Sequence, residues 1–438
     1  MADTRTVTLT IEGREVTVPE GMSILEAAKT AGVLVPHYCY HPGLPVAGVC
    51  RMCLVEVEKA PKLAAACVTA VAAGQVVHVH SDKALEARQS VLEFLLINHP
   101  LDCPICDQSG ECELQDYTFR EGRAEGRLKE AKRFNPVEDF GGDVLYVPNR
   151  CILCTRCVRF MDDVAREPVL NVSERGDRAI IGKFEEHDLT HAWAGNVIDL
   201  CPVGALLSKD FLNKARAWEL DRAPSVCPNC TQGCNSIIET RDNIVVRMRP
   251  RTNTDVNHYF MCDYGRLNYR WLNRRDRAAN VKGAELFGFI RSESPLDLLE
   301  KDDVLVAAGD DLEGLDSGAL ARAGAILLIG AALPEAARAA AVVLPTCNMA
   351  EEEGTFTNLR GRVQRFMQAK AAPGMSRPSW WVVADLLAAL GGNDSFYLAS
   401  EVFQALALER SEFAGLSYDT LGTRGAVLAG AGLTVEAR

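Results

Sequence analysis

"HPLDCPICDQSGEC", residues 99–112, places three cysteines and a histidine in one short stretch. The cysteines are Cys103, Cys106 and Cys112, and a thiolate is a strong ligand for zinc and for iron–sulfur clusters. A tetrahedral metal ion or a cubane cluster takes four ligands, so this stretch lacks one thiolate. Two interpretations of His99 are open at this point: the fourth ligand, or a loop residue without a ligand role.

The neighbours of His99 favour ligation without deciding it. Residues 90–98, "SVLEFLLIN", predict an apolar helix. We expect that helix to end at His99, because Pro100 disfavours a helical conformation in the residue before it. The imidazole would then lie at the entrance of the cysteine loop. His78 and His80 are alternative ligands, but they lie farther back, in a segment that alternates like a strand.

The chain as a whole is rich in cysteine, with 16 in 438 residues, and all but one lie between Cys39 and Cys262. The N-terminus "MADTRTVTLT" lacks the apolar core of a secretory signal, so we expect a reducing compartment in which disulfides are rare. Metal or cluster ligation is therefore the favoured role. The net charge of −12 argues against a nucleic-acid partner, because phosphate binding favours a basic surface.

A first ligand set precedes this stretch and consists of Cys39, Cys50, Cys53 and Cys67. A long loop that closes into Cys-x-x-Cys, with a distant fourth cysteine, is typical of a [2Fe–2S] ferredoxin. The ten-residue gap departs from the plant-type spacing. A structural zinc site is the open alternative, although four zinc thiolates usually come as two close pairs.

The residues before the first set predict the start of a β-grasp ferredoxin domain. Residues 6–11, "TVTLTI", and 14–19, "REVTVP", alternate as the two strands of a hairpin. Ser23 and Glu26 then form a capping-box pattern at the start of a helix over 24–32.

The opening stretch, residues 99–112, is the second set. The third set consists of Cys151, Cys154, Cys157 and Cys201. The run C-x2-C-x2-C is that of bacterial ferredoxins and predicts a [4Fe–4S] cluster. Two-cluster ferredoxins carry a further cysteine soon after the run, but position 161 is Met here. Cys201, followed by Pro202, therefore completes a single cluster.

The fourth set consists of Cys227, Cys230, Cys234 and Cys262. C-x2-C-x3-C with a distant cysteine is again typical of a [4Fe–4S] cluster, and zinc remains open because C-x2-C is also half of a zinc site. Residues 235–250 predict two strands of a small β-domain that holds this site. Cys347 is left over and is interpreted as a buried free thiol.

The four sets, in this order, resemble the large iron–sulfur subunit of bacterial respiratory complex I, the proton-pumping NADH:quinone oxidoreductase. The resemblance covers residues 1 to about 275 and is carried by "PHYCYHPGLPVAGVCRMCLVEV", "HPLDCPICDQSGECELQD", "NRCILCTRCVRF" and "IDLCPVGAL". It implies that His99, Cys103, Cys106 and Cys112 together bind a [4Fe–4S] cluster. It implies one [2Fe–2S] cluster at the first set and [4Fe–4S] clusters at the third and fourth. The fourth resembles the cluster domain of molybdopterin oxidoreductases.

The resemblance implies a multidomain α+β chain of five units. These are a [2Fe–2S] ferredoxin-type domain (1–80), a helical His/Cys3 [4Fe–4S] unit (81–130), a ferredoxin-like [4Fe–4S] domain (140–215), a small β cluster domain (216–275), and a shortened α/β region (276–438). Family members normally continue into a long molybdopterin-enzyme-like region without cofactor. Here "AAVVLPTCNMAEEEGTFTNLRGRVQRF" resembles only a late part of it. We therefore expect no molybdenum.

The predicted function is electron transfer. By resemblance, electrons enter from an FMN- and NADH-binding subunit, pass through the Cys39, Cys151 and His99 clusters, and leave toward quinone-side connecting subunits. A small [2Fe–2S] subunit is a further expected partner. We expect no membrane-spanning helix, because Pro334, Glu335 and Arg338 interrupt the most apolar stretch. The resemblance places the chain in the peripheral arm, at the cytoplasmic face of the bacterial inner membrane.

The sequence contains no nucleophile triad, P-loop or dinucleotide fingerprint, so we expect no complete active site in this chain. Three alternatives are considered, and the lack of a second cysteine triplet and the short C-terminal region argue against the first two. [FeFe]-hydrogenases share the first two units but follow them with a two-cluster ferredoxin. Formate dehydrogenases carry a full molybdopterin domain. The third is a zinc-stapled scaffold without redox function.

Overall fold

The structure is a computed structural model. It describes residues 5–129, 131–184, 187–273, 301, 303–308, 322–331, 340–392 and 396–429. The chain divides into two compact units, Met1–Trp218 and Glu219–Arg438. The described parts combine helices with parallel and antiparallel sheets, so the predicted multidomain α+β class is confirmed at that level.

The first unit begins with the predicted hairpin and helix. β1 (Thr6–Ile11) pairs antiparallel with β2 (Arg14–Pro19), and α1 (Ile24–Thr30) follows. The turn between the strands has φ of 49° at Glu12 and 73° at Gly13, as a two-residue hairpin turn requires. Ser23 caps α1 by accepting the Glu26 N–H at 3.2 Å. The predicted hairpin, helix start and Ser23 cap are confirmed, and the helix ends at Thr30, two residues before its predicted end.

Three further strands complete a mixed five-stranded sheet. They are β3 (Leu54–Val57), β4 (Ala64–Ala65) and β5 (Val76–His78), and the strand order is β2-β1-β5-β3-β4. Only the β1–β5 pair is parallel. The inner face of the sheet and the apolar face of α1 form one core, in which Leu9, Ile11, Ile24, Val55 and Val77 are buried.

Two helices follow the sheet. α2 (Asp82–Leu96) and α3 (Glu113–Glu121) flank the loop that carries residues 99–112. α2 ends at Leu96, three residues before the predicted end. The Lys132 ammonium donates hydrogen bonds to the carbonyls of Leu96 and Ile97, at 2.8 and 2.9 Å. A lysine that satisfies the last carbonyls stabilises a helix end, so the tertiary contact sets the boundary before the proline does.

The rest of the first unit consists of short elements. They are β6 (Glu138–Gly141), β7 (Val144–Tyr146), α4 (Arg156–Arg159), β8 (Leu170–Ser173), β9 (Ile180–Lys183), α5 (Asn196–Leu200) and β10 (Leu206–Ser208). β10, β7 and β6 form an antiparallel sheet, and β8 pairs with β9. The sheet and the two helices hold the loops of the third cysteine set.

The second unit begins with an antiparallel sheet in chain order, β11 (Asp221–Val226), β12 (Asn235–Arg241) and β13 (Ile244–Pro250). The two strands predicted between Cys234 and Cys262 are confirmed as β12 and β13. A short helix, α6 (Asp263–Leu267), follows Cys262 directly. Strand β11 was not predicted.

The described part of residues 276–438 contains two more sheets. β14 (Val304–Ala308), β15 (Ala325–Gly330) and β16 (Val342–Pro345) are parallel. β17 (Gly354–Thr357), β18 (Arg362–Phe366) and β19 (Ala426–Val427) are antiparallel, and the helices are α7 (Ser379–Ala389) and α8 (Ala399–Glu409). The Ala-rich stretches predicted as helices between the parallel strands lie outside the described residues. Among the residues that the structure describes, no helix has the length and apolarity to cross a membrane.

Candidate metal centres

The first cysteine set comes together beside the five-stranded sheet. Cys39, Cys53 and Cys67 are buried, and the Sγ atoms of Cys53 and Cys67 are 3.3 Å apart. The loop from 39 to 53 turns back so that the Cys39 N–H donates to Cys50 Sγ at 3.4 Å. The Cys39 thiol also contacts the thiols of Cys50 and Cys67, so the four sulfur atoms form one continuous group.

Contacts among these thiols give them different pKa values. Hydrogen bonds from Cys50 and Cys67 hold the pKa of Cys39 well below its usual value. A hydrogen bond from Cys67 lowers the pKa of Cys53 to about 7, whereas the same contacts and burial raise the pKa values of Cys50 and Cys67. Protons shared among buried thiols are released when a metal binds, so the group is suited to a ligand that neutralises several thiolates at once.

The second set lies in the loop between α2 and α3. Cys106 and Cys112 are buried and Cys103 is exposed. Burial raises the pKa of Cys112 to about 11, and the negative charges of Cys106 and Cys103 raise it further. Gly204 lies directly against Cys106 Sγ, and a side chain at position 204 would occupy the position of the sulfur.

His99 supplies a neutral imidazole beside this loop. Its Nδ1 is buried and has no hydrogen-bond partner among the described residues. Burial lowers the pKa of His99 to about 4, and the positive charges of Lys132 and Arg150 lower it further. The charge of Arg150 also acts on Cys106, which places the imidazole and that thiol around the same guanidinium. A neutral imidazole with a buried nitrogen that makes no hydrogen bond can serve as the fourth ligand beside the three thiols.

The third set lines one cavity. Its walls include all four thiols, namely Cys151, Cys154, Cys157 and Cys201, together with Tyr146 and Val203. Burial raises the pKa values of Cys151 and Cys201 to about 11 and that of Cys154 to about 12. Two loops separated by 44 residues in sequence thus meet around a space bounded by sulfur.

The backbone around the third set is bent to direct N–H groups at sulfur. Leu153 and Thr155 have φ of 52° and 58°, in the left-handed region that non-glycine residues seldom adopt. The Leu153 N–H donates to Cys151 Sγ at 3.4 Å, and the N–H groups of Val203, Ala205 and Leu206 lower the pKa of Cys201 against the effect of burial. Hydrogen bonds to the sulfurs are among the protein's means of setting a cluster's potential.

The fourth set surrounds Gly265 in the second unit. A Cβ at this position would lie 2.9 Å from Cys227 Sγ and 3.5 Å from Cys262 Sγ, so glycine leaves room for both sulfurs. The Gly265 N–H donates to Cys262 Sγ at 3.4 Å, and the Cys227 N–H donates to the Cys234 carbonyl at 2.7 Å. Burial raises the pKa of Cys234 to about 12, with the other three thiolates adding to it. All four cysteines are thus brought together.

A buried amide network supports this loop. Gln364, on β18, donates from Nε2 to the Gly233 carbonyl at 2.9 Å and accepts from the side chain of Asn235. Asn358 donates to the Gln232 carbonyl at 3.3 Å. Residues of the segment "GTFTNLRGRVQRF" therefore hold the loop between Cys230 and Cys234, a contact that sequence reasoning did not predict.

Other residues missed by the sequence analysis are arginines. Arg150 donates from Nε to Asp102 Oδ2 at 2.9 Å, next to His99 and Cys106. Arg156 donates to the carbonyls of Tyr40 at 2.9 Å and Leu200 at 3.2 Å, each next to a cysteine of a predicted set. "CTRCVRF" contains the signal for Arg156, since a charged side chain between two ligand cysteines is unusual for a buried residue.

The donor types fit iron–sulfur clusters. Thiolates with one imidazole are soft and borderline donors, and hard cations such as Mg²⁺ or Ca²⁺ prefer oxygen. Among the described residues, no group of three or more His, Cys, Asp or Glu side chains is arranged to hold a single metal ion.

Five family models match successive parts of the chain. Residues 4–82 match a "2Fe-2S iron-sulfur cluster binding domain", and 88–127 match an "NADH-ubiquinone oxidoreductase-G iron-sulfur binding region". Residues 141–207 match the ferredoxin-like domain of NADH-quinone oxidoreductase subunit 3. Residues 220–274 match a "Molybdopterin oxidoreductase Fe4S4 domain", and 318–389 match "Molybdopterin oxidoreductase". Domains that bind [2Fe–2S] and [4Fe–4S] clusters are therefore present.

The curated relatives have closely related names. The 78 kDa mitochondrial subunit of NADH-ubiquinone oxidoreductase from Candida albicans is 47% identical over 263 residues, which are 60% of this chain and 36% of the relative. An NADH-quinone oxidoreductase subunit from Rickettsia bellii is 40% identical over 311 residues, 70% of this chain and 44% of the relative. Iron-sulfur protein 1 of mitochondrial NADH dehydrogenase [ubiquinone] from Solanum tuberosum is 45% identical over 276 residues, 63% of this chain and 37% of the relative.

The resemblance predicted from the cysteine motifs is confirmed by these relatives. The chain spans about two fifths of the length of the curated relatives it matches. Among solved structures, an NAD+-reducing [NiFe]-hydrogenase in the H2-reduced state is 29% identical with a TM-score of 0.44, over 48% of this chain and 90% of that chain. That likeness is too weak to support a statement about fold.

Proposed function

We propose that this chain is an iron–sulfur electron-transfer subunit of a proton-translocating NADH:quinone oxidoreductase. It would relay electrons from an NADH- and FMN-binding module toward quinone, and it would have no complete active site of its own. The observation that carries the proposal is the third cysteine set, because four cysteines from two distant loops line one cavity. Iron–sulfur clusters, when bound, supply reversible one-electron chemistry.

The proposal assigns one [2Fe–2S] cluster to the first set, Cys39, Cys50, Cys53 and Cys67. It assigns a [4Fe–4S] cluster to each of the other three sets. The ligands are His99, Cys103, Cys106 and Cys112 in the second set, Cys151, Cys154, Cys157 and Cys201 in the third, and Cys227, Cys230, Cys234 and Cys262 in the fourth. The protein's own part is to bury these groups from water and to direct N–H donors and charges at them. Both measures set a reduction potential.

The five domain boundaries predicted from the sequence belong to the same proposal. So do the partners: an NADH- and FMN-binding subunit, a small [2Fe–2S] subunit and quinone-side connecting subunits. These partners would place the chain in the peripheral arm of the complex, at the cytoplasmic face of the bacterial inner membrane. They are inferred from the names of the relatives and from the family resemblance of this chain's cysteine motifs.

Anaerobic purification of the full chain tests the cofactor assignment. We expect about 14 iron atoms per chain, acid-labile sulfide and low-temperature EPR signals after reduction. Cys201→Ala should remove one cluster, whereas Cys347→Ala, which changes a buried cysteine outside the four sets, should not. A colourless chain that contains zinc and no sulfide would refute the proposal and favour the zinc-stapled scaffold.

Elemental analysis of the same sample tests the shortened C-terminal region. We propose that residues 276–438 bind neither molybdenum nor a pterin, because the segment is much shorter than the domain that encloses such a cofactor. Iron without stoichiometric molybdenum or tungsten is the expected result. One molybdenum or tungsten atom per chain would contradict this part of the proposal and favour a formate-dehydrogenase type of activity.

A further inference from the structure

The guanidinium of Arg159 joins the loops of two candidate centres. Its Nη2 donates to the carbonyl of Cys39 at 2.5 Å and to the carbonyl of Cys154 at 3.3 Å. Cys39 belongs to the first ligand set and Cys154 to the third. One nitrogen atom therefore makes a direct hydrogen-bonded connection between two loops that lie 115 residues apart in sequence.

The rest of the side chain fixes this position. Nη1 donates to the Pro45 carbonyl at 2.5 Å, and Nε donates to Thr155 Oγ1 at 3.3 Å. Arg159 is also the last residue of α4, two positions after Cys157, so its backbone moves with the third ligand set. The guanidinium makes four hydrogen bonds in fixed directions, and a lysine ammonium, with three donors on one nitrogen, cannot make all of them.

The charge of Arg159 is balanced differently from that of Arg156. Among the described residues, no Asp or Glu lies within ion-pair distance of the half-buried Arg159 guanidinium, and its nearest ionisable neighbours include the thiols of Cys39, Cys154 and Cys157. Arg156, in contrast, contacts the Glu113 carboxylate at 3.4 Å. Burying a cation without a counter-charge costs free energy. Hydrogen bonds to carbonyl oxygens offset part of this cost here, and the thiolates of the two ligand sets would offset more of it with a cluster bound.

Resting on the ligand sets proposed above, we propose that Arg159 is a positioning residue for electron transfer between the first and third centres. It fixes their separation through the shared hydrogen bonds. Its charge also raises the reduction potentials of both centres, because reduction adds negative charge and a nearby cation stabilises it.

Two variants separate the two effects. Arg159→Met removes the charge and the hydrogen bonds, whereas Arg159→Lys keeps the charge and loses the fork. Arg175→Met removes an exposed arginine of the same unit and serves as the control. Each full-length chain is purified anaerobically. Iron and sulfide are quantified, midpoint potentials are determined by EPR-monitored redox titration, and the magnetic interaction between the two reduced centres is measured from line broadening and relaxation.

We expect all variants to keep the iron content of the parent chain. Arg159→Met should shift the potentials of both centres downward and weaken the magnetic interaction. Arg159→Lys should weaken the interaction with potentials close to those of the parent, and Arg175→Met should change neither. Unchanged potentials and interaction in Arg159→Met would overturn the inference. Loss of iron in both Arg159 variants would also overturn it, because the residue would then only support folding. A parent chain without iron would refute the proposed function itself.

Discussion

Arg88 and Glu121 form an ion pair in the interior of the first unit, with Arg88 Nε donating to Glu121 Oε2. The Arg88 side chain is fully buried, and its Nη1 also donates to the Leu54 carbonyl at 3.2 Å. The pair joins the middle of α2 to the end of α3, and the loop of the second cysteine set runs between these helices. It therefore holds together the two helices that flank that loop.

Glu121→Ala is predicted to destabilise the first unit by about 3–5 kcal/mol, because it leaves the buried Arg88 charge without a counter-charge. Urea denaturation of the variant and the parent measures the difference. Glu125→Ala, which changes an exposed carboxylate in the segment after α3, is the control and should change the free energy of unfolding little. The double variant Arg88→Met/Glu121→Leu should recover much of the loss. Equal stability of Glu121→Ala and the parent would show that water reaches the pair.

His99→Ala is predicted to abolish or strongly alter one low-temperature EPR signal while the others remain. The reason is that His99 would supply the ligand that the three thiols lack, through a buried imidazole kept neutral by its surroundings. His99→Cys should restore a signal with a lower potential, since a thiolate adds a negative charge. His80→Ala changes one of the two alternative histidines and should have no effect. Full iron content and unchanged signals in His99→Ala would contradict the ligand assignment.

Local patterns made the start of the fold predictable. The alternation in β1 and β2 and the Ser23–Glu26 pattern depend on residues a few positions apart, so sequence alone carries the information. β11 was missed because Pro224 lies in its middle. Proline removes a backbone donor, but β11 is an edge strand, where a missing donor is tolerated.

Motif spacing predicted which cysteines form each set, but not what surrounds them. Arg159 lies 120 positions after Cys39, and Gln364 lies 131 positions after Gly233. Such contacts depend on how the domains fold onto their loops, and a single sequence gives no signal for pairs so far apart. Residues that support a centre were therefore missed even where its proposed ligands were found.

Glu352 is predicted to make the stability of the second unit depend on pH. Burial raises its pKa to about 7, although the hydroxyl and N–H of Ser379 donate to its carboxylate and oppose the shift. Because this pKa lies above its ordinary value of 4.5, the folded state binds a proton that the unfolded state releases. The resulting stabilisation is complete below pH about 4.5 and is lost as the pH rises to about 7.

Glu352→Gln should therefore flatten the dependence of stability on pH, because an amide stays neutral and still accepts hydrogen bonds from Ser379. We expect the variant to gain stability relative to the parent at pH 8 and little at pH 4. The measurement is the urea midpoint at a series of pH values. Glu409→Gln, which changes an exposed carboxylate at the end of α8, is the control. Parallel pH profiles for Glu352→Gln and the parent would contradict the prediction.

The fourth ligand set is predicted to be structural, and not part of the main path for electrons. It lies in the residues that match a molybdopterin oxidoreductase Fe4S4 domain, and we expect a molybdopterin cofactor to be absent here. The structure ties the set to folding, because Gln364 and Asn358 bind the loop between Cys230 and Cys234 from the segment around β17 and β18. A metal bound by Cys227 and Cys262 would link the two ends of a small β-domain, and binding energy of that kind stabilises the fold.

Cys230→Ala should therefore lower the yield of assembled complex, whereas NADH-to-quinone turnover per assembled complex stays near that of the parent. Cys347→Ala provides the matched control, because it removes a buried thiol of the same unit that belongs to no ligand set. Gln364→Leu should reproduce part of the yield loss without touching a ligand, since it breaks the bond to the Gly233 carbonyl. Normal assembly of Cys230→Ala with a collapse in turnover would show that electrons pass through the fourth centre.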